Sequence, residues 1–443
     1  MTKRNQLRDT AQATVDLARK SVLTLQNQGW RGLYSKVRRR VSPPKMYQPE
    51  WSKSYTAEAL MLTQWLDCTP EEVQRSKAVM AANNGPMSIT TINWYLPHFE
   101  NAYFGGVHTI LRFAAAFARE HAVNNSFIIL GDASAPTETV YLERLSEPFP
   151  DLARSQVVVI QSDLDLPRVP DSDACVATLF STAYYVLKNN RTKRKFYFIQ
   201  DFEPMFYPAG SSSAVAEATY RFGFYGLTNT VTLKAHYEQD YGGTATFFRP
   251  SVDTNIFYPP QQRNWTRKPY KLFFYGRPNH WRNGFELGAA ALRKVKEQLG
   301  AKVQIVAAGH AWNPTDYGLD GIVEPLGLLP YRATGDLYRT CDAGLVMMFT
   351  RHPSYLPFEF MASGCLVVTN VNHTTSWLLK DGENCLLSLP TASCIADTIV
   401  SGLEDIERRK RITSDALKMI QSEYANWSGQ SDQVYQYMCN PQN

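Results

Sequence analysis

The sequence predicts an α/β protein made of two doubly wound, Rossmann-like halves that face each other across a cleft. Three observations carry this expectation. From Ser88 onward, short apolar runs alternate with helical stretches, the pattern of a parallel sheet covered on both faces. A second set of the same kind begins at Tyr270. Between them, Arg249-Pro250-Ser251-Val252-Asp253 and the polar, proline-rich run 259–269 read as a domain joint. A chain of 443 residues is also too long for one ordinary core. The expected division is a basic helical extension over 1–84, a first Rossmann-like domain over 85–250, a second over 251–426, and a tail over 427–443.

The N-terminal segment reads as helix over 5–41. Leu7, Ala11, Val15, Ala18, Val22 and Leu25 recur at helical spacing, and after Gly29 the pattern resumes with Trp30, Leu33, Tyr34 and Val37. Arg31, Lys36, Arg38, Arg39 and Arg40 surround that second part, a composition suited to an anionic membrane surface. A helix packed on the domain, or a basic arm, fits the same residues. A helical stretch is expected over 54–80, with Thr69-Pro70-Glu71-Glu72 as a cap and first turn. Strands are then expected near 89–96, 127–130, 157–160, 174–179, 195–199, 227–230 and 244–248. In the second half they are expected near 272–275, 303–307, 343–348, 365–369 and 384–387, with helices over 391–426 closing the body.

Composition narrows the function classes. Residues 1–45 hold eleven Lys/Arg against two Asp, a net of +9, so a chain of net +5 leaves −4 for the remainder. A basic head on a mildly acidic body argues for attachment and against nucleic-acid binding. The seven cysteines are scattered, odd in number and form no C-x-x-C pair, which points to reduced thiols and a cytosolic setting. No apolar h-region follows Met1, so no signal peptide is expected, and no apolar run nears the roughly 20 residues a membrane span needs.

Two stretches of the second half carry candidate chemistry. The strand Phe273-Phe274-Tyr275 runs into a loop bearing Arg277 and Arg282, followed by a helix expected over 283–299. Two guanidinium forks beside a helix N-terminus match a phosphate chain. Further on stands His352-Pro353-Ser354-Tyr355-Leu356-Pro357-Phe358-Glu359. Pro357 suits a first helical turn, the N–H groups of Ser354, Tyr355 and Leu356 offer donors to a phosphate or sugar hydroxyl, and Glu359 offers an acceptor for a ribose. Capping of its own helix is the alternative for Glu359. In the first half, Gly105-Gly106 precedes a helix and allows close backbone approach to a ligand. Gln200-Asp201-Phe202-Glu203 follows a strand, so Asp201 and Glu203 are expected on the cleft rim, facing an acceptor or transferred sugar. Helix caps or salt links would use the same acids. His98 and His108 flank the glycine pair and read as structural. Asp163-Leu164-Asp165 and Asp171-Ser172-Asp173 read as loop acids, and no metal site is expected.

These stretches together resemble the family-4 glycosyltransferases of GT-B architecture. Gly276-Arg277 with Arg282 is similar to that family's diphosphate-binding element, with Arg where Lys is usual, and Pro357 to Gly364 resembles its ribose-binding helix. Gly105-Gly106 resembles its glycine loop beneath the donor diphosphate. Tyr275-Gly276-Arg277-Pro278, His352-Pro353-Ser354-Tyr355 and Gln200-Asp201-Phe202-Glu203-Pro204 are similar to bacterial rhamnosyltransferases of cell-surface polysaccharide synthesis, including S-layer glycan and O-antigen. One departure stands out: Arg351 occupies the position, eight before Glu359, where the family has the Glu that contacts the donor sugar. The resemblance implies a metal-independent, retaining glycosyltransferase with a nucleotide-sugar donor, dTDP-rhamnose in the first place. It implies a lipid-linked surface glycan as acceptor and a cytoplasmic location on the inner membrane face. Asp201, Glu203, Arg277 and Arg282 would be catalytic. Gly105, Gly106, Ser354, Tyr355, Leu356 and Glu359 would join the two arginines in holding the donor. A nucleotide-sugar epimerase and an inactive scaffold of the same fold remain open beside it.

Overall fold

Runs of β-branched and aromatic residues build two all-parallel sheets in the computed structural model, which describes residues 51–442 other than 104, 133, 279 and 426. The amphipathic pattern at 5–41 lies outside the described residues. The first sheet holds β1 (Thr91–Pro97), β2 (Asn124–Leu130), β3 (Gln156–Ile160), β4 (Ser172–Ala177), β5 (Thr192–Ile199), β6 (Tyr225–Thr228) and β7 (Thr244–Phe247), in the order 3-2-1-4-5-6-7. The second holds β8 (Tyr270–Gly276), β9 (Val303–Gly309), β10 (Val323–Pro325), β11 (Ala343–Leu345), β12 (Leu366–Asn370) and β13 (Leu386–Ser388), in the order 10-9-8-11-12-13. Around the first sheet run the helices α1 (Trp51–Trp65), α2 (Pro70–Ala82), α3 (Gly105–His121), α4 (Glu138–Ser146), α5 (Phe180–Lys188), α6 (Ser211–Ala218) and α7 (Val231–Tyr241). The chain continues with α8 (Phe285–Leu299), α9 (Tyr331–Thr340), α10 (Leu356–Ala362), α11 (Ala392–Glu404), α12 (Ile406–Met419) and α13 (Ser428–Cys439).

Both strand orders reverse beside the first strand of their set, between β1 and β4 and again between β8 and β11. Loops leaving the carboxyl ends there diverge and open a crevice, the usual ligand position in such sheets. Burial explains why the strands are apolar throughout. Ile92, Trp94, Tyr95 and Leu96 of β1 are fully buried, and Trp94 Nε1 is satisfied by donating to Asn125 Oδ1 at 2.8 Å.

Several expectations shift in detail. The helix read across 54–80 is two helices, because Thr69 caps α2 and Pro70 cannot continue the helix before it. Thr69 Oγ1 accepts from the Glu72 N–H at 3.2 Å while a Glu72 carboxylate oxygen accepts from the Thr69 N–H at 2.9 Å, a complete capping box. The helix read from 283 starts at Phe285, because Gly284 is left-handed at φ 57° and ends a short turn over Trp281–Asn283. The strand expected over 343–348 keeps sheet pairing only to Leu345. Beyond it, Asn370 takes the place of a neighbouring strand: its Oδ1 accepts from the Met348 N–H at 2.9 Å and its Nδ2 donates to the Met348 carbonyl at 3.0 Å. Strand β10 was not anticipated, being three residues with a Glu and a Pro.

The stretch 427–443, set apart as a tail, forms α13 and packs on the first sheet. Val434 and Met438 are fully buried in the core that contains Trp94 and Phe113. Arg194 of β5, itself fully buried, fastens this end. Its guanidinium donates to the carbonyls of Asn83 at 2.8 Å and of Met438 and Cys439 at 2.7 Å, and also to that of Gly85. A buried cation survives here because four carbonyl dipoles replace its water. Arg194→Ala strands those carbonyls, and the variant is expected to lose about 3 kcal/mol of stability in urea unfolding, with α13 released first in hydrogen exchange. An unchanged midpoint would show that the cluster contributes nothing net.

Candidate functional site

The loop after β8 is built by close packing. A Cβ on Gly276 would sit 2.6 Å from Trp312 Nε1, and one on Gly284 would sit 2.5 Å from the Phe349 ring, so both positions admit only glycine without rearrangement. Arg277, half-buried, donates to Tyr275 Oη at 3.0 Å. Arg282 lies with its guanidinium 4.2 Å from the Phe206 ring centroid, a cation–π contact made from the second domain onto the first. Burial pulls the Arg282 guanidinium below its ordinary value and nearby Asp201 opposes that shift. Arg277 also lowers it, placing the two guanidiniums within electrostatic reach of each other. The Arg282 carbonyl accepts from the Phe349 N–H at 2.9 Å, which joins this loop to the one after β11.

The second loop runs from Phe349 into α10. Ser354 is left-handed at φ 68°, a strained conformation for a residue with a side chain. Its N–H, expected to face an anion, instead donates to His352 Nδ1 at 3.0 Å. Tyr355 Oη accepts from Thr109 Oγ1 at 3.2 Å, across the cleft from α3. Glu359 on α10 is buried, and no hydrogen bond reaches its carboxylate among the described residues. Burial alone pushes it up to about 8. Capping of its own helix is therefore not what it does.

Asp201 and Glu203 are inside the protein, not on the rim. Asp201 accepts from Thr350 Oγ1 at 2.5 Å, from the His352 N–H at 3.2 Å and from the Phe202 N–H at 2.8 Å. Two of those donors belong to the second domain, so this carboxylate clasps the domains together. Desolvation raises its pKa and the Thr350 hydrogen bond opposes the rise. Glu203 accepts from the Phe180 N–H at 2.5 Å and from Tyr197 Oη at 3.0 Å, and desolvation pushes it up to about 8. In the first domain, Gly105 opens α3 and the Gly106 carbonyl accepts from Gln200 Nε2 at 3.1 Å. His98 meets Tyr141 Oη at 2.5 Å, and His108 packs against Tyr103, Phe149 and Tyr331. Asp163, Asp165, Asp171 and Asp173 are taken up by Lys188, the Gln161 and Ser162 N–H groups, Arg191 and Lys193.

The structure therefore gathers Arg277, Arg282, Tyr355, Asp201 and Glu203 around one interdomain cleft, with Glu359 close enough to act on the Tyr355 phenol. Sequence reading missed Thr350, Asn229 and Phe206. Asn229 directly follows β6 as Gln200 follows β5, so position after a strand was a usable signal. Arg351, in place of the expected acid, lies 5.6 Å over the Phe202 ring.

Comparison with known proteins agrees with this layout. Residues 91–228 match the model of the N-terminal domain of WsaF, and residues 270–400 match that of its C-terminal domain. The O-antigen biosynthesis protein RfbC of Myxococcus xanthus is 41% identical over 378 residues, which is 84% of this chain and 29% of that protein, so the chain spans under a third of this relative's length. Among solved structures, the sucrose-phosphate synthase of Thermosynechococcus elongatus superposes with a TM-score of 0.60 at 13% identity over 78% of this chain and 97% of that one. Anabaena HepE, in complex with UDP and glucose, superposes with a TM-score of 0.60 at 15% identity over 77% and 97%.

The raised pKa of Glu203 predicts a pH effect on stability. An acid near 4.5 when unfolded and near 8 when folded holds its proton in the folded state across that window. Stability contributed at this site is accordingly greatest at low pH and falls as pH rises from about 5 to 8. Glu203→Gln keeps an acceptor for Phe180 and Tyr197 without the charge. Its stability should decline less than that of wild type over this range in denaturant titrations at stepped pH; parallel curves would contradict the assignment.

The two domain matches, in sequence order and together covering more than half of the chain, show that this protein belongs to the WsaF family, on a GT-B fold of two parallel-sheet α/β domains.

Proposed function

We propose that this chain is a glycosyltransferase that moves a sugar from a nucleotide-sugar to a growing bacterial surface glycan. The observation that carries the reading is the pairing of Arg277 and Arg282 beside the β8–β11 crevice with a buried Glu359 carboxyl that lacks a partner among the described residues. Such a site offers positive charge for a diphosphate and one acceptor for a ribose. The O-antigen assignment of RfbC supports a surface glycan as the destination, and the complex of HepE with UDP and glucose supports a nucleotide-sugar as donor.

In this reading Arg277 and Arg282 neutralise the charge that builds on the leaving diphosphate, and preorganised charge of that kind takes the place of a metal ion. The Phe206 ring holds the Arg282 guanidinium in advance, so little side-chain freedom is lost on binding. Glu359 holds the nucleoside, and the Asp201 clasp keeps the domains closed and water out. Asp201 and Glu203, being buried, act on the chemistry through the groups they hold. The donor is read as dTDP-rhamnose, the acceptor as a lipid-linked glycan at the inner membrane face, and the outcome as retention, all from the resemblance of the motifs. Arg351 favours one second reading, a scaffold that binds nucleotide without transfer.

A thermal-shift panel of dTDP, UDP, GDP and ADP without metal tests the donor site. One nucleotide at 100 times its dissociation constant should stabilise wild type by about 2.7 kcal/mol, and the Arg277→Ala/Arg282→Ala variant should lose that shift. No shift with any of them, with or without Mn²⁺, would overturn the reading. No helix among the described residues is long and apolar enough to cross a membrane. In this reading the basic, amphipathic pattern of residues 5–41 serves attachment, and the full chain should float with anionic liposomes while a chain starting at Met46 should not. Equal flotation of the two would remove the membrane role from that segment.

A further inference from the structure

His352 is buried between the domains and both its ring nitrogens are engaged. Nδ1 accepts the Ser354 N–H at 3.0 Å, so it carries no proton. Burial and the nearby Arg282 hold the imidazole down to about 3, so the ring is neutral at physiological pH and its proton sits on Nε2. Asn229, at the end of β6 in the first domain and itself buried, faces Nε2 with its amide Nδ2 at 3.0 Å. Two donors would then oppose each other, while Asn229 Oδ1 has no partner among the described residues. A half-turn of the amide removes the opposition of donors: Oδ1 then accepts the Nε2 proton. The Tyr355 phenol lies within hydrogen-bond reach of the same amide and also accepts from Thr109 Oγ1 at 3.2 Å. From below, Asp201 accepts the His352 N–H at 3.2 Å.

A continuous path therefore runs from the first domain, through Asn229 and the imidazole, to the backbone of Ser354. That residue stands at φ 68°, a conformation that persists only when its surroundings impose it. It sets the direction of Tyr355 and the entry into α10, which carries Glu359. We propose that Asn229 and His352 are positioning residues for the donor site: through them the first domain imposes the left-handed turn at Ser354 and so places Tyr355 and Glu359 for a nucleoside diphosphate. The inference rests on the reading of this cleft as a nucleotide-sugar site.

Calorimetric titration of the full chain with dTDP and with UDP tests it, using wild type, Asn229→Ala, His352→Asn and His352→Gln. Asn at 352 offers an acceptor near Nδ1 but cannot reach residue 229, whereas Gln offers reach near Nε2 but no acceptor for the Ser354 N–H. The path needs both nitrogens, so all three variants should bind roughly tenfold more weakly, with melting temperatures near that of wild type. Imidazole ¹⁵N shifts in wild type should report a neutral ring protonated on Nε2. Wild-type affinity in His352→Asn, or in Asn229→Ala, would overturn the interdomain path while leaving the donor-site reading intact. Failure of wild type to bind either nucleotide would instead overturn the donor-site reading, and this inference with it.

Discussion

A buried carboxylate at Asp201 holds the two domains to one another, and the geometry of the cleft follows from it. Its oxygens take a hydroxyl and a backbone N–H from the loop after β11, and the N–H of its own neighbour Phe202. In a site of low dielectric such bonds are stronger than at the surface, and losing one leaves a buried charge with less compensation. That asymmetry makes the clasp selective for one interdomain arrangement.

The same few side chains organise the charge of the cleft. Arg282 feels Asp201 as an attractive neighbour and rests on Phe206, while Arg351 rests on Phe202. Both rings belong to the short stretch after β5 that also supplies Asp201. One loop of the first domain thus receives two cations and two hydrogen-bond donors from the second. The Phe206 ring thus orients a half-buried guanidinium at the mouth of this loop, and the proposed donor reading rests on that orientation.

Much of this was legible in the chain. Parallel strands buried on both faces read as continuous apolar runs, and their alternation with helices implies the doubly wound order. The loops that carry Arg277, Arg282, Ser354 and Tyr355 were legible because each follows a strand of the second sheet. Boundaries were less legible where side chains stand in for backbone. Asn370 extends the edge beside Met348 without a strand, and Gly284 delays α8 by a left-handed turn. The helix α13 was missed because its partners, Val434 against the core near Trp94 and Met438 and Cys439 against Arg194, lie hundreds of residues away in sequence.

By itself the sequence determined the two α/β halves, the joint between them, the arginine pair and the lone acid on α10, because each depends on local pattern and position relative to a strand. Tertiary structure alone decided what the acids of the first domain do. Asp201 and Glu203 look like rim residues in the chain, yet folding surrounds one with donors from the opposite domain and the other with Tyr197 and the Phe180 N–H. It also decided that the Ser354 N–H serves His352 and that Asn229 meets that ring from across the cleft. Hydrogen-bond partners for buried polar groups are chosen by which surfaces meet, and local sequence carries no record of the opposite face.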